Sequence, residues 1–447
     1  MRIKLTSAGR VLAGLILLGA TAANSATVAI IDSGVDYKHE AFAPHMWVNP
    51  NGSTTVDGTT YSNDTHGWNF AESNNEIIDY KYLGTFSQDC YKIFEIQGKI
   101  LRGIATDAEK DWYKNKRSDE TFLKELQKFG NFVHGTHVTG ISTDQSSAAT
   151  VVALKLIPTE VPGGMALRQF RDLNGNPLVS MMLQMVAKRQ ATMLLSVGKY
   201  TDAVGATVAN GSFGTSVHAV KPVVAQLVKQ LTGQDPTDAE SEAYAKELIN
   251  AMLTESKAFV TTASKTLFVF AAGNDGTNND ELPVSPANID AENKIVIAAT
   301  LGAEKIATFS NFGMKVDVAA PGVVIRSSIP GNEYLELSGT SMAAPYVTNV
   351  AARVKDANPG LNPAGIKKIL CDTVDVKPWL QGKVRTSGVV NSQRAITAAF
   401  LSSRIGVDAA ISQARATIAD SHEFDGESVS PEAEKDLIVL PMPSLFQ

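Results

Sequence analysis

The chain has 447 residues, 44% of them hydrophobic, enough to bury a large core as one big α/β domain or two ordinary ones, so a disordered or fibrous protein is excluded. The formal net charge is -6 and the Lys and Arg residues are scattered, which excludes the basic stripe that a nucleic-acid partner requires.

At the N-terminus, Arg2, Lys4 and Arg10 precede the apolar run Val11 to Leu18 and the small residues Gly19 to Ala26. Basic, then apolar, then small is the order of a secretory signal peptide, read here as residues 1–25. The run is too short for a membrane span, which needs roughly 20 apolar residues. Cleavage would remove three cations, take the net charge from -6 to -9, and leave an exported protein, periplasmic or extracellular. Export would let Cys90 and Cys371 pair; two buried free thiols are the other reading.

Thr27 to Ile31 is the first short, uniformly apolar run, and Asp32 closes it. A carboxylate at the carboxyl end of a buried strand stands where open parallel sheets hold their sites, although turn or N-cap duty would suit it equally well. Residues 75 to about 130 form a charged insertion. In it, Thr106-Asp107-Ala108-Glu109 offers a capping box ahead of a helix expected to end near Gly130, with Phe122, Leu123 and Leu126 as its sticky face. The insertion reads as a segment packed on the main domain, with a lid or partner-binding element as the alternative.

Next comes His134-Gly135-Thr136-His137-Val138-Thr139-Gly140, whose glycines suit a helix starting close against its surroundings. His134 reads as a general base and His137, one helical turn on, as a packed core residue. A zinc pair is the alternative, without the intervening Glu or the usual i, i+4 spacing. Apolar strands at Val151 to Ile157, Ala206 to Ala209, Thr266 to Ala272, Ile295 to Ala299 and Val316 to Ala320 then alternate with helical patterns. The helices are expected at Pro177 to Arg189, Val220 to Leu231, Ala239 to Thr254 and Ala343 to Lys355. This alternation predicts a three-layer α/β/α fold with a mostly parallel central sheet.

The strand at Thr266 to Ala272 ends in Gly273-Asn274, where the amide is a turn residue or a donor to a developing oxyanion. Ser341, in Gly339-Thr340-Ser341-Met342-Ala343-Ala344-Pro345, opens the last of these helices; Pro345 is tolerated in a first turn. Backbone N–H groups and the positive end of the helix dipole there face the hydroxyl. From about residue 402 onward three basic residues face eight acidic ones, a tail read as mobile and solvated, with Leu437 to Pro443 able to dock somewhere.

The blocks Asp32-Ser33-Gly34-Val35, His134 to Val138, Ala271-Ala272-Gly273-Asn274 and Gly339 to Pro345 resemble those of subtilisin-like serine peptidases, the subtilases, over roughly residues 26–400. The order Asp, His, Ser is itself a mark of that family. The resemblance implies a subtilisin-like fold and an exported endopeptidase acting on polypeptides through an acyl-enzyme. In it, Asp32 orients His134, His134 deprotonates Ser341, and Asn274 with the Ser341 N–H holds the oxyanion. It further implies that Ser212, Phe213 and Gly214 pair with an extended substrate. With Ala272 and Gly273 they would wall a pocket whose small residues suit a fairly large apolar side chain. No cofactor is implied for the chemistry.

A structural calcium ion is suggested by Asp57, Asn63 and Asp64 in the loop Asn49 to Asn69, with a solvated turn as the alternative. The sequence assigns no oligomeric state. Where exported members carry a folding propeptide, here the first strand follows the signal directly, and with it goes the N-terminal segment that often helps bind calcium. The domain is therefore expected to fold unaided or with the insertion or the tail as a substitute. Tyr346 and Asn349 replace a histidine and a glycine common in the family. A transpeptidase using the same groups, and a non-catalytic binding protein on the same fold, are the competing functions.

Overall fold

The short aliphatic runs become the inner strands of one sheet, because a strand buried on both faces has no polar side to show. A computed structural model describes residues 25–143, 148–161, 176–302, 304–421 and 437–444; of the segment read as an export signal, residues 1–24 lie outside them. The strands are β1 (Thr27–Asp32), β2 (Gly67–Asn69), β3 (Thr150–Lys155), β4 (Val208–Gly211), β5 (Leu267–Ala271), β6 (Lys294–Leu301) and β7 (Val318–Pro321). They run parallel in the order β7-β6-β5-β4-β1-β3-β2. A hairpin of β8 (Ile325–Ile329) and β9 (Glu333–Leu337) stands apart, and short β10 (Asp375–Val376) and β11 (Gly388–Val389) extend the β7 edge.

The chain leaves β1 toward β3 on one side and returns to β4 on the other, which makes the carboxyl ends of β1 and β4 a topological switch point. Ile31 pairs with Gly211 there, so Asp32 and Ser212 emerge side by side.

Eleven helices surround the sheet among the described residues: α1 (Gln88–Leu101), α2 (Asp107–Lys116), α3 (Glu120–Ser142), α4 (Asn176–Ala203), α5 (Val217–Thr232), α6 (Asp238–Glu255), α7 (Lys257–Thr262), α8 (Thr340–Ala357), α9 (Pro363–Asp372), α10 (Ser392–Ile405) and α11 (Val407–Thr417). The three-layer α/β/α reading holds. α8 lies across β4 to β7 and packs on α3. Phe268 and Phe270 of β5 meet Phe259 of α7, with ring centroids 5.1 and 6.2 Å apart. Buried residues of α4, α5 and α6 form a second apolar cluster around Met182, Val224 and Ile249.

Three expectations need correction. The capping box at Thr106 and Glu109 is present, but it starts α2, which stops at Lys116; a new helix, capped by Asp119, runs through Gly130 and carries His134 in its interior. Glycine here serves close approach, not termination. A Cβ on Gly135 would lie 2.2 Å from the Gly34 carbonyl oxygen, so only glycine lets α3 settle on the turn after β1. The Asp36 N–H donates to Thr136 Oγ1 at 3.0 Å across the same contact.

Of the sticky face, Phe122 and Leu126 are buried and Leu123 is exposed. The acidic tail begins later than expected, since residues 402–417 finish α10 and form α11, whose Ala410, Ile411 and Ala414 are buried. Leu437 to Ser444, the stretch read as able to dock, is docked: Leu440, Met442 and Ser444 are buried. Cys90 and Cys371 are both free and buried, and burial raises their thiols to about 11 and about 12.

Gly135→Ala is expected to lower the unfolding free energy by roughly 1–3 kcal/mol, because the clash is with backbone that cannot rotate away. Urea denaturation checks this; an unchanged midpoint would mean that α3 is not seated so closely.

Candidate active site

Asp32, His134, Asn274 and Ser341 are brought to the carboxyl edge of the sheet by four different elements. Asp32 ends β1 and is buried, as is His134. Asp32 Oδ1 accepts the Ser33 N–H at 2.7 Å and lies 2.7 Å from His134 Nδ1. A carboxylate oxygen can only accept, so in this pair the Nδ1 of His134 is the donor.

Ser341 lies in the first turn of α8, one residue beyond Thr340. Its hydroxyl donates to the Ser212 carbonyl at 3.4 Å, and the Ser212 hydroxyl donates to the Ser341 carbonyl at 3.1 Å. Two further bonds pin α8: Thr348 Oγ1 donates to Asn210 Oδ1 at 3.0 Å, and Asn349 Nδ2 donates to the Ser142 carbonyl of α3 at 3.1 Å. Asn349, which stands where the family commonly has a glycine, thus couples the helix of Ser341 to the helix of His134.

Asn274 is oriented by a residue to which the sequence assigned no role of its own. Its Oδ1 accepts from the Thr340 N–H at 2.9 Å and from Thr340 Oγ1 at 2.8 Å, while Thr340 Oγ1 accepts the Gly273 N–H at 3.2 Å. With Oδ1 occupied twice, the amide can only offer Nδ2, which has no partner among the described residues, nor has the Ser341 N–H. These are two backbone-anchored donors beside one hydroxyl. Thr340 stands next to Ser341 in the motif, but its partner is 66 positions upstream, and no local pattern could pair them.

Ser212, Phe213, Gly214, Ala272 and Gly273 lie around the same place. Val284, another residue not singled out from sequence, sits between the two glycine walls. Its methyls are 3.4 Å and 3.5 Å from where a Cβ on Gly273 and on Gly214 would stand.

His137 points away from the site, its Nε2 lying 3.0 Å from the Leu335 carbonyl. Complete burial, partly opposed by hydrogen bonds to backbone carbonyls and reinforced by nearby His134, lowers its pKa to about 3, so it is the neutral core residue expected. In the loop Asn49 to Asn69, Asp64 accepts from Asn49 Nδ2 at 2.6 Å and Tyr200 Oη at 2.5 Å, and Asp57 pairs with Lys199 at 2.7 Å. Among the described residues no group of three or more His, Cys, Asp or Glu is arranged to hold a metal, and no helix is long and apolar enough to cross a membrane.

The model of the subtilase family matches residues 23–400, and the chain belongs to that family. It is 43% identical over 112 residues to alkaline elastase YaB of Bacillus sp. (strain YaB), covering 25% of this chain and 28% of that one. An extracellular protease of Xanthomonas campestris pv. campestris is 39% identical over 144 residues, 30% of this chain and 24% of its own. A thermophilic serine proteinase of Bacillus sp. (strain AK1) is 31% identical over 264 residues, 59% and 52% of the two chains. The chain thus spans between a quarter and a half of the length of these relatives.

Because His137 is neutral when folded and titrates near 6.5 when unfolded, the unfolded chain binds the extra proton as the pH falls below about 6.5. Its contribution is intact above that pH and is lost progressively toward about 3. His137→Leu should remove about 2 kcal/mol of the stability difference between pH 7 and pH 5, read from urea titrations at both values.

Proposed function

We propose that the protein is an exported serine endopeptidase that cleaves peptide bonds through an acyl-enzyme on Ser341. The observation that carries this reading is the Asp32 to His134 hydrogen bond of 2.7 Å between two buried side chains, which would leave Nε2 to take the Ser341 proton. His134 takes the hydroxyl proton as Ser341 Oγ attacks the carbonyl carbon, and the positive charge that develops on the imidazole is held by Asp32. The same proton is then delivered to the leaving amine, and a water repeats the sequence to free the acid.

Charge developing on the substrate oxygen is met by Asn274 Nδ2 and the Ser341 N–H, donors already fixed before reaction, so little reorganisation is needed. In subtilisin the loss of one such side-chain donor costs about 3–4 kcal/mol. Ser212 to Gly214 would pair with the substrate backbone as an added strand. Val284 makes the pocket between Gly214 and Gly273 shallower than the small walls alone imply, which favours an apolar side chain of moderate size. Export draws support from the N-terminal order of basic, apolar and small residues and from the extracellular relative.

A fluorophosphonate probe should label Ser341 in the wild-type protein and leave folded Ser341→Ala unlabelled; absence of labelling in folded wild type would sink the reading. Thr340→Val should lower kcat by about 10-fold with KM moved less than about twofold, since it removes one of the two donors that hold Asn274 Oδ1 and the acceptor of the Gly273 N–H, while the Thr340 backbone bond, the nucleophile and the base stay in place. Steady-state kinetics on a chromogenic peptide amide distinguishes this from a folding defect, which would lower the active fraction and leave the kcat per labelled site unchanged.

A further inference from the structure

The stretch Leu437 to Ser444 lies along the surface that the proposed reaction reserves for substrate. The Ile438 N–H donates to Gln97 Oε1 at 2.7 Å and to Tyr113 Oη at 3.1 Å, and Gln97 Nε2 donates back to the Ile438 carbonyl at 3.2 Å. Leu440 lies over α3, one turn before His134, with its methyls 3.0 and 3.2 Å from where a Cβ on Gly130 would be. Further on, the Gly214 N–H donates to the Pro443 carbonyl at 3.1 Å. The Ser444 and Thr215 hydroxyls are 2.6 Å apart, and Met442 Cε stands 3.3 Å from the Cβ position of Gly214, in the same space as Val284.

A strand waiting for substrate should show its edge to solvent. Instead Gly214 is buried, with Thr215 paired to Ser285 beside it, and the tail supplies to the Gly214 N–H the hydrogen-bond acceptor that a peptide would bring. From these contacts we infer that residues 437–444 are an intramolecular strap that occupies the substrate groove and restrains the enzyme until displaced. The inference rests on the proposed peptidase site, since Gly214 matters to substrate only if that reading holds.

The chemistry of the segment fits an occupant of this kind. Pro441 and Pro443 hold the chain extended before it docks, so little conformational entropy is lost on binding. Neither has an N–H, which limits backbone pairing to carbonyls such as that of Pro443. The bonds Leu440–Pro441 and Met442–Pro443 have proline nitrogens as their leaving groups, tertiary amides unlike the secondary amides of most substrates. Being part of the same chain, the strap acts at an effective concentration on the order of millimolar. A segment whose free peptide binds at about 100 μM would then keep the groove occupied about nine-tenths of the time. Gln97 and Tyr113 belong to the charged insertion, which thereby anchors the strap upstream of the groove.

The test compares the full chain with two released forms, Leu440→Asp/Met442→Asp and a chain ended after residue 436. Both should hydrolyse a short peptide amide with a KM lowered about tenfold and kcat unchanged, because an intramolecular competitor reduces only the open fraction. A synthetic peptide of residues 437–447 should inhibit the shortened chain competitively, and hydrogen exchange at the Gly214 amide should accelerate at least tenfold on release. Unchanged KM together with unchanged Gly214 exchange in both released forms overturns the strap, as does a fall in kcat and melting temperature with KM unmoved, the signature of a structural segment. Faster Gly214 exchange without peptide hydrolysis or fluorophosphonate labelling in any form supports docking in the groove and sinks the peptidase reading instead.

Discussion

The hydrogen bond between Asp32 Oδ1 and His134 Nδ1, 2.7 Å long, is the constraint on which the site depends. One partner ends a central strand and the other lies deep in a helix of 23 residues, and neither can move without its element. What allows the two elements to meet is a missing Cβ. At Gly135 the helix backbone rests against the Gly34 carbonyl, a distance no side chain would permit. The position of His134 is thus set by backbone contact and its Nδ1 bond by the carboxylate, as the proposed role of a general base requires.

Ser341, the proposed nucleophile, is held by a separate set of bonds. Asn210, Asn349 and Ser212 secure α8 to β4 and α3, and Thr340 holds Asn274 in the one amide orientation that leaves Nδ2 outward. Preorganised donors of this kind are effective because the site is buried and the surrounding dielectric is low. On the side proposed for substrate, Leu440, Met442 and Ser444 are themselves buried. A groove lined with prearranged donors is also one that a peptide from the same chain can fill.

Much of this was legible in the sequence because it was local. Aliphatic runs such as Val28 to Ile31 have no polar face, and so announced buried parallel strands; short blocks around Asp32, His134, Asn274 and Ser341 announced the family. Illegible features were those made by distant partners. Gly130 looks like a helix end until Leu440 is seen against it, and Gly135, read for close approach, does not name Gly34 as what it approaches. Thr340 looks like motif filler until Asn274 is placed beside it, and Val284 carries no signal at all. That the last apolar stretch of the tail could dock was legible, but not where, because its partners lie in an insertion more than 300 positions away.

The claim that Asp32 fixes His134 as the Nδ1–H tautomer, with Nε2 free to accept, is tested most directly by proton NMR of the imidazole. With the histidine ring nitrogen-15 labelled, the account predicts a low-field Nδ1 proton resonance assigned to His134, protected from solvent exchange and lost in Asp32→Asn. A His134 ring that carries its proton on Nε2 in the wild-type protein, or an Nδ1 signal that survives Asp32→Asn unchanged, would contradict it.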